Sequence, residues 1–143
     1  MRDPSLSAAA RYRRFLLGTA ALVFAGTVVE LWLVGHYEEW IQWVPFVLCA
    51  VGLGAVAAVR FAPTPGRLGA ARVALGLVVA GGLFGVYEHF EHNYAFEQEI
   101  RPGASTGALL AEAVRGASPL LASGILVLAA ALAFAATLWR EAD

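Results

Sequence analysis

The sequence predicts an all-α protein, a bundle of four transmembrane helices with both termini on the cytoplasmic side. Three observations predict it. Four long runs of the chain carry no charge. The composition is 59% hydrophobic and only 15% charged, with a mean hydropathy of +0.67. The arginines gather on one side of a four-span arrangement. A soluble chain of 143 residues would need a charged surface to cover its core, and this chain does not have one. A single membrane domain over residues 1–143 is the economical organisation.

The first span is expected over about residues 15–35. It opens after Arg11, Arg13 and Arg14, is uncharged from Phe15 to Val29, carries an acid at Glu30 and stays apolar to Val34; roughly 20 residues at about 1.5 Å each suffice to cross. An arginine-rich start before an apolar stretch with a Val23-Phe24-Ala25 site is also the pattern of a cleaved signal peptide, the second reading of this segment. The second span, about 44–60, follows the interfacial pair Trp40 and Trp43 and ends at Arg60. The third is uncharged only from Val73 to Tyr87, too short by itself, so its helix is expected over about 70–96 with an outward extension beyond the bilayer. Gly76, Gly81, Gly82 and Gly85 in this helix, with Gly52 and Gly54 in the second, suit close helix approach. Arg101-Pro102-Gly103 breaks the chain, and Leu109, Leu110, Ala113 and Val114 with Glu112 and Arg115 predict an amphipathic segment over about 106–116 lying on the membrane surface as a small lid. The fourth span, about 118–140, takes Ser118 as N-cap and Pro119 in its first turn, and is uncharged from Leu120 to Trp139.

Orientation rests on arginine, since the chain has no lysine. Arg2, Arg11, Arg13, Arg14, Arg60, Arg67, Arg72 and Arg140 fall on one side; Arg101 and Arg115 fall on the other. Eight arginines against three acids (Asp3, Glu141, Asp143) give the first side +5, and two against eight give the other −6. By the positive-inside rule the first side is cytoplasmic. The acidic outer face attracts cations and repels nucleic acid.

Gly35-His36-Tyr37-Glu38 at the outer end of the first span is echoed by Gly85-Val86-Tyr87-Glu88 at the outer end of the third, which suggests two repeated helical hairpins about a pseudo-twofold axis along the membrane normal. Gly35-His36-Tyr37-Glu38 before a proline, Asn93 with Phe96-Glu97-x-Glu99, and Gly116-Ala117-x-Pro119 opening the last span together resemble a group of small uncharacterised bacterial four-helix integral membrane proteins. The resemblance spans most of the chain. It implies the same topology and a bacterial inner-membrane location, with the acidic cap facing the periplasm or exterior, and it lends no catalytic residue.

All three histidines, His36, His89 and His92, fall at the outer ends of the outward-running helices beside Glu88 and Glu91. His89 and His92 are i,i+3 neighbours and Glu88 and His92 are i,i+4 neighbours, so one helix face can offer several ligands to one ion, and His36 completes the shell if the first and third spans pack together. Imidazole with carboxylate suits Zn, Mn, Fe or Cu; the plainer reading is a set of polar residues marking where helices leave the bilayer. The same histidines could instead ligate a haem b between the first and third helices. Glu30 is an ionisable group inside a span, and Tyr37, seven residues on, would share its face if the helix continued; the pair is a possible intramembrane proton or cation site. Cys49 is the only cysteine, so no intrachain disulfide forms. Phosphate loops, nucleophile elbows and Cys-x-x-Cys or His-Glu-x-x-His motifs are absent, and the chain is expected to have no enzymatic activity. The expected function is an outer His/Glu cap that binds a divalent cation, in metal handling or as a transporter accessory. The alternative is a structural or assembly subunit, a homo-oligomer or a partner within a larger membrane complex, embedded in the lipid bilayer.

Overall fold

A computed structural model describes residues 4–138; Trp139 and Arg140, expected to close the last span, and the terminal charges Arg2, Asp3, Glu141 and Asp143 lie outside the described residues. The helices are α1 (Pro4–Leu33), α2 (Val44–Phe61), α3 (Pro65–Ile100), α4 (Thr106–Ala113) and α5 (Leu120–Leu138), with a 3₁₀ turn at Trp40–Trp43 before α2. Four of them, all but α4, are long and apolar enough to cross a membrane. Their outward faces carry large apolar side chains, among them Leu22 (73% exposed), Leu77 and Leu128. Apolar residues this exposed all around the bundle fit a solvent of lipid rather than water.

Neighbouring pairs run in a ring: α1 touches α2, α2 touches α3, α3 touches α5 and α5 touches α1. Across the ring α2 also touches α5, whereas among the described residues no Cα of α1 comes within 8 Å of one in α3. Small residues make the close approaches. Ala129, Ala130, Ala133 and Ala136 form the buried face of α5. Gly52 of α2 receives the Phe24 ring, which is fully buried, and a Cβ there would collide with it. A Cβ on Gly81 would meet Leu48 Cδ1 at 2.6 Å, and one on Gly82 would meet Val127 Cγ2 at 2.8 Å. Gly54 and Gly76, expected to serve the same way, face open space.

Arginines tie the helices at one end. Arg13 Nη2 donates to the Val59 carbonyl at 2.9 Å, and Arg72 donates from Nε to Thr137 Oγ1 at 3.0 Å and from Nη2 to the Thr137 carbonyl at 2.7 Å. Both answer helix C-terminal carbonyls with positive charge.

At the other end the elements differ from expectation in instructive ways. α1 stops at Leu33 because Gly35 takes a left-handed conformation (φ 70°), which only glycine adopts at no steric cost. The echoed tetrads therefore have different backbones, one a turn and one helical. α3 runs for 36 residues, or about 54 Å at the α-helical rise, well past a hydrocarbon layer of about 30 Å. The amphipathic segment expected as a small lid packs on the outer part of α3: α4 buries Leu109 and Ala113 there and caps its start with Ser105 Oγ, which accepts from Ala108 N. Arg101 Nη2 lies 2.9 Å from Glu97 Oε2, an ion pair without hydrogen-bond geometry, and its Nη1 lies 3.7 Å from Glu112 Oε1.

Asn93, 3% exposed, holds this lid. Its Nδ2 donates to the carbonyls of Ala113 (3.0 Å) and Ser118 (2.8 Å), and its Oδ1 accepts from Ser118 N (2.9 Å). Ser118 therefore engages through its backbone. Gly116 passes so close to the Asn93 amide that a Cβ would overlap it. Buried polar groups with three satisfied bonds are costly to orphan, so Asn93→Ala and Gly116→Ala should each destabilise the outer end by roughly 1–3 kcal/mol. Proteolysis of the 101–118 connection in detergent micelles checks this: faster cutting in both variants is expected, and unchanged protection would contradict the latch.

Candidate functional site

Because α1 and α3 stand apart, a cleft of about 620 Å³ opens between their outer halves, with the first turns of α2 and α5 as its other walls. Its deeper part is apolar: Leu31 of α1 with Val34 just after it, Leu48 of α2, Phe84 of α3 and Leu126 of α5. Gly81, Gly82 and Gly85 keep the α3 wall low. Its mouth is polar, with Glu30, His36 and Glu39 on one side and Glu88, His89 and His92 on the other. Three carboxylates and three imidazoles line it, and no arginine does. A concave, largely apolar pocket with a few convergent polar groups is the ordinary form of a small-molecule site, and the volume falls in the usual range of about 300–1,000 Å³.

His89 is the best-defined polar group. Its Nδ1 lies 3.0 Å from the Pro119 carbonyl. A carbonyl can only accept, so Nδ1 donates to it, and Nε2 is the ring nitrogen left for a ligand. His36, half-buried in the turn after α1, has its pKa held below 6.5, first by burial and then by the charge of His89. It is neutral at pH 7.

The residues expected to form a metal centre are only partly brought together. His36, His89, His92 and Glu88 line the cleft, while Glu91 does not and is exposed. Among the described residues, no group of three or more His, Cys, Asp or Glu side chains is gathered tightly enough to hold a metal ion. The physical reason is the ring order: the expected shell needed α1 packed on α3, and these two helices face each other across open space.

The Glu30–Tyr37 pair is not formed. The helix ends before Tyr37, whose ring packs on Trp32 at 4.9 Å between centroids, and among the described residues no hydrogen bond joins it to Glu30. Glu30 itself is exposed toward the cleft. Sequence reasoning missed Pro119, Ser118 and Ser123 as parts of this site; they enter because α5 begins beside α3. Glu39, an acid beside His36 in the sequence, also lines the cleft, and Gln42 fixes the turn before it by accepting from Glu38 N (2.8 Å) and Glu39 N (3.2 Å) at Oε1.

The fold and site define a class, a four-helix protein built for a membrane with an open, acid- and imidazole-lined cleft between two non-touching helices. Compared with known proteins, the chain matches no family model, no curated protein and no solved structure.

The His36 shift has a signed consequence. The unfolded imidazole takes its proton near pH 6.5 and the folded one at lower pH, so this group's contribution to stability is fully present above about 6.5 and is lost as pH falls through the folded value. A histidine Cε1–H titration by NMR should give His36 a midpoint below 6.5. In His89→Ala it should move part of the way back up; a His36 midpoint unmoved by that change would contradict the facing of the two rings.

Proposed function

We propose that this chain is a non-enzymatic multi-pass protein of a bacterial inner membrane, with both termini in the cytoplasm, whose outward-facing cleft binds an amphiphilic organic cation. We also propose that it belongs with the small bacterial four-helix membrane proteins its motifs resemble. The observation that carries the binding reading is the lining of the cleft: Glu30, Glu39 and Glu88 supply negative charge, no arginine offsets it, and an apolar floor lies beneath.

Each part of such a ligand has a counterpart. An apolar body fits among Leu31, Leu48, Phe84 and Leu126, and about 25 cal/mol per Å² of apolar surface favours its burial. A cationic head meets carboxylates beside a low-dielectric wall, where their attraction is stronger than in water, and Phe84 supplies an aromatic face. The His89 Nε2 lone pair accepts from an N–H. An ammonium that still carries protons therefore suits the cleft better than a quaternary one.

The test is equilibrium dialysis of the purified protein against a naphthylmethylammonium probe. Glu30→Gln should weaken binding about tenfold, equivalent to about 1.4 kcal/mol. Binding should also weaken as pH falls through the lowered His36 value, below 6.5, because His36 then gains a like charge. Equal affinity for a naphthalene sulfonate, or an unchanged Glu30→Gln variant, would overturn the reading.

A second reading is favoured by the same His89 lone pair and the nearby His36: a divalent ion bridged by the two imidazoles, with water or a second copy of the chain completing its shell. Zinc binding lost in both His36→Ala and His89→Ala would support it, and a haem would announce itself by absorbance. Failure of every titration would favour an assembly subunit.

A further inference from the structure

We infer that a second site, at the opposite end of the bundle, binds the phosphate of an anionic phospholipid headgroup. Between the inner ends of α1 and α2 lies a pocket of about 290 Å³, lined by Ala10, Arg13, Arg14 and Leu17 of α1 with Arg60 and Pro63 after and at the end of α2. The four α1 positions follow a spacing of three, one and three residues, which puts them on one helix face. Among the described residues that line it are three arginines and no acid.

Arg13 reaches across the seam to the Val59 carbonyl and so fixes the wall between the helices. Arg14 uses only Nε, on the Ala10 carbonyl at 3.2 Å. Among the described residues its Nη groups make no hydrogen bond, and Arg60 rests over the Phe61 ring at 5.3 Å without an acidic partner. Two planar forks with donors to spare, set around one pocket, match the geometry of phosphate oxygens.

Position selects a lipid as the source of the phosphate. Leu17 belongs to the uncharged run of α1, and Arg60 ends the uncharged run of α2. The pocket thus sits at the edge of the hydrocarbon layer, the depth of the headgroups. Phe15 and Phe61, exposed beside the arginines, offer apolar surface to the acyl chains. By sequence this end carries eight arginines against Asp3, Glu141 and Asp143, so the local field favours an anion.

Native mass spectrometry of the full chain in a neutral maltoside detergent, with phosphatidylglycerol or phosphatidylcholine added, tests the site. The wild type should retain one phosphatidylglycerol in preference to phosphatidylcholine. Arg14→Gln/Arg60→Gln should lose retention by about tenfold or more, on the basis of about 1 kcal/mol per basic residue at a membrane surface. Arg14→Lys/Arg60→Lys, which keeps the charges, should hold the lipid better than the glutamine pair and shows that the loss does not come from unfolding. Equal retention of the two lipids, or full retention in the glutamine variant, would overturn the proposal. Inorganic phosphate that displaces phosphatidylglycerol at equal concentration would overturn the lipid as its ligand and leave a free-phosphate site.

Discussion

The contact between α2 and α5 across the middle of the bundle is the constraint on which the rest depends. Four packed cylinders can close one diagonal only by opening the other. Alanines along the buried face of α5 let the α2–α5 diagonal close, and α1 and α3 are left facing each other across a gap. Toward the inner end that gap is filled by the core of Leu17, Phe24, Leu75 and Val78. Toward the outer end the glycines of α3 offer no side chains to fill it, and the cleft remains.

Much of this was legible in the sequence and some was not, for reasons that differ residue by residue. The four spans follow from uncharged length and hydropathy, which are properties of single segments. The length of α3, 36 residues, followed from an uncharged run too short to cross that continues into helix-forming polar residues. The ring order is different in kind, because it depends on which small residues meet which neighbours, and Gly54 and Gly76 look the same in a sequence as Gly52 and Gly82. The metal shell was expected on the premise that α1 and α3 pack together; they stand apart, and among the described residues no three such side chains are gathered for an ion. Gly35 carried a signal of its own: a glycine just past an apolar run is a helix stop, and reading it so would have removed Tyr37 from the face of Glu30. Asn93 and Gly116, 23 positions apart in the chain, form one latch that no local pattern announces.

The two ends of the bundle are chemically opposite. One end gathers carboxylates and imidazoles around a cavity, and the other gathers arginines around another. The latch at Asn93 and the ion pairs of Arg101 hold α4 against α3, so the wall that carries Glu88, His89 and His92 is braced from outside. His89 is positioned twice, by its own helix and by the Pro119 carbonyl at the start of α5.

The central claim is that the gap between α1 and α3 is where a ligand resides. Photolabelling with an arylalkylamine bearing a diazirine, mapped by peptide mass spectrometry, tests it most directly. The account predicts label on Leu31, Val34, Leu48, Phe84 and Leu126, displaced by excess unlabelled amine. Label spread instead over the lipid-facing Leu22, Leu77 and Leu128, and indifferent to competition, would contradict it.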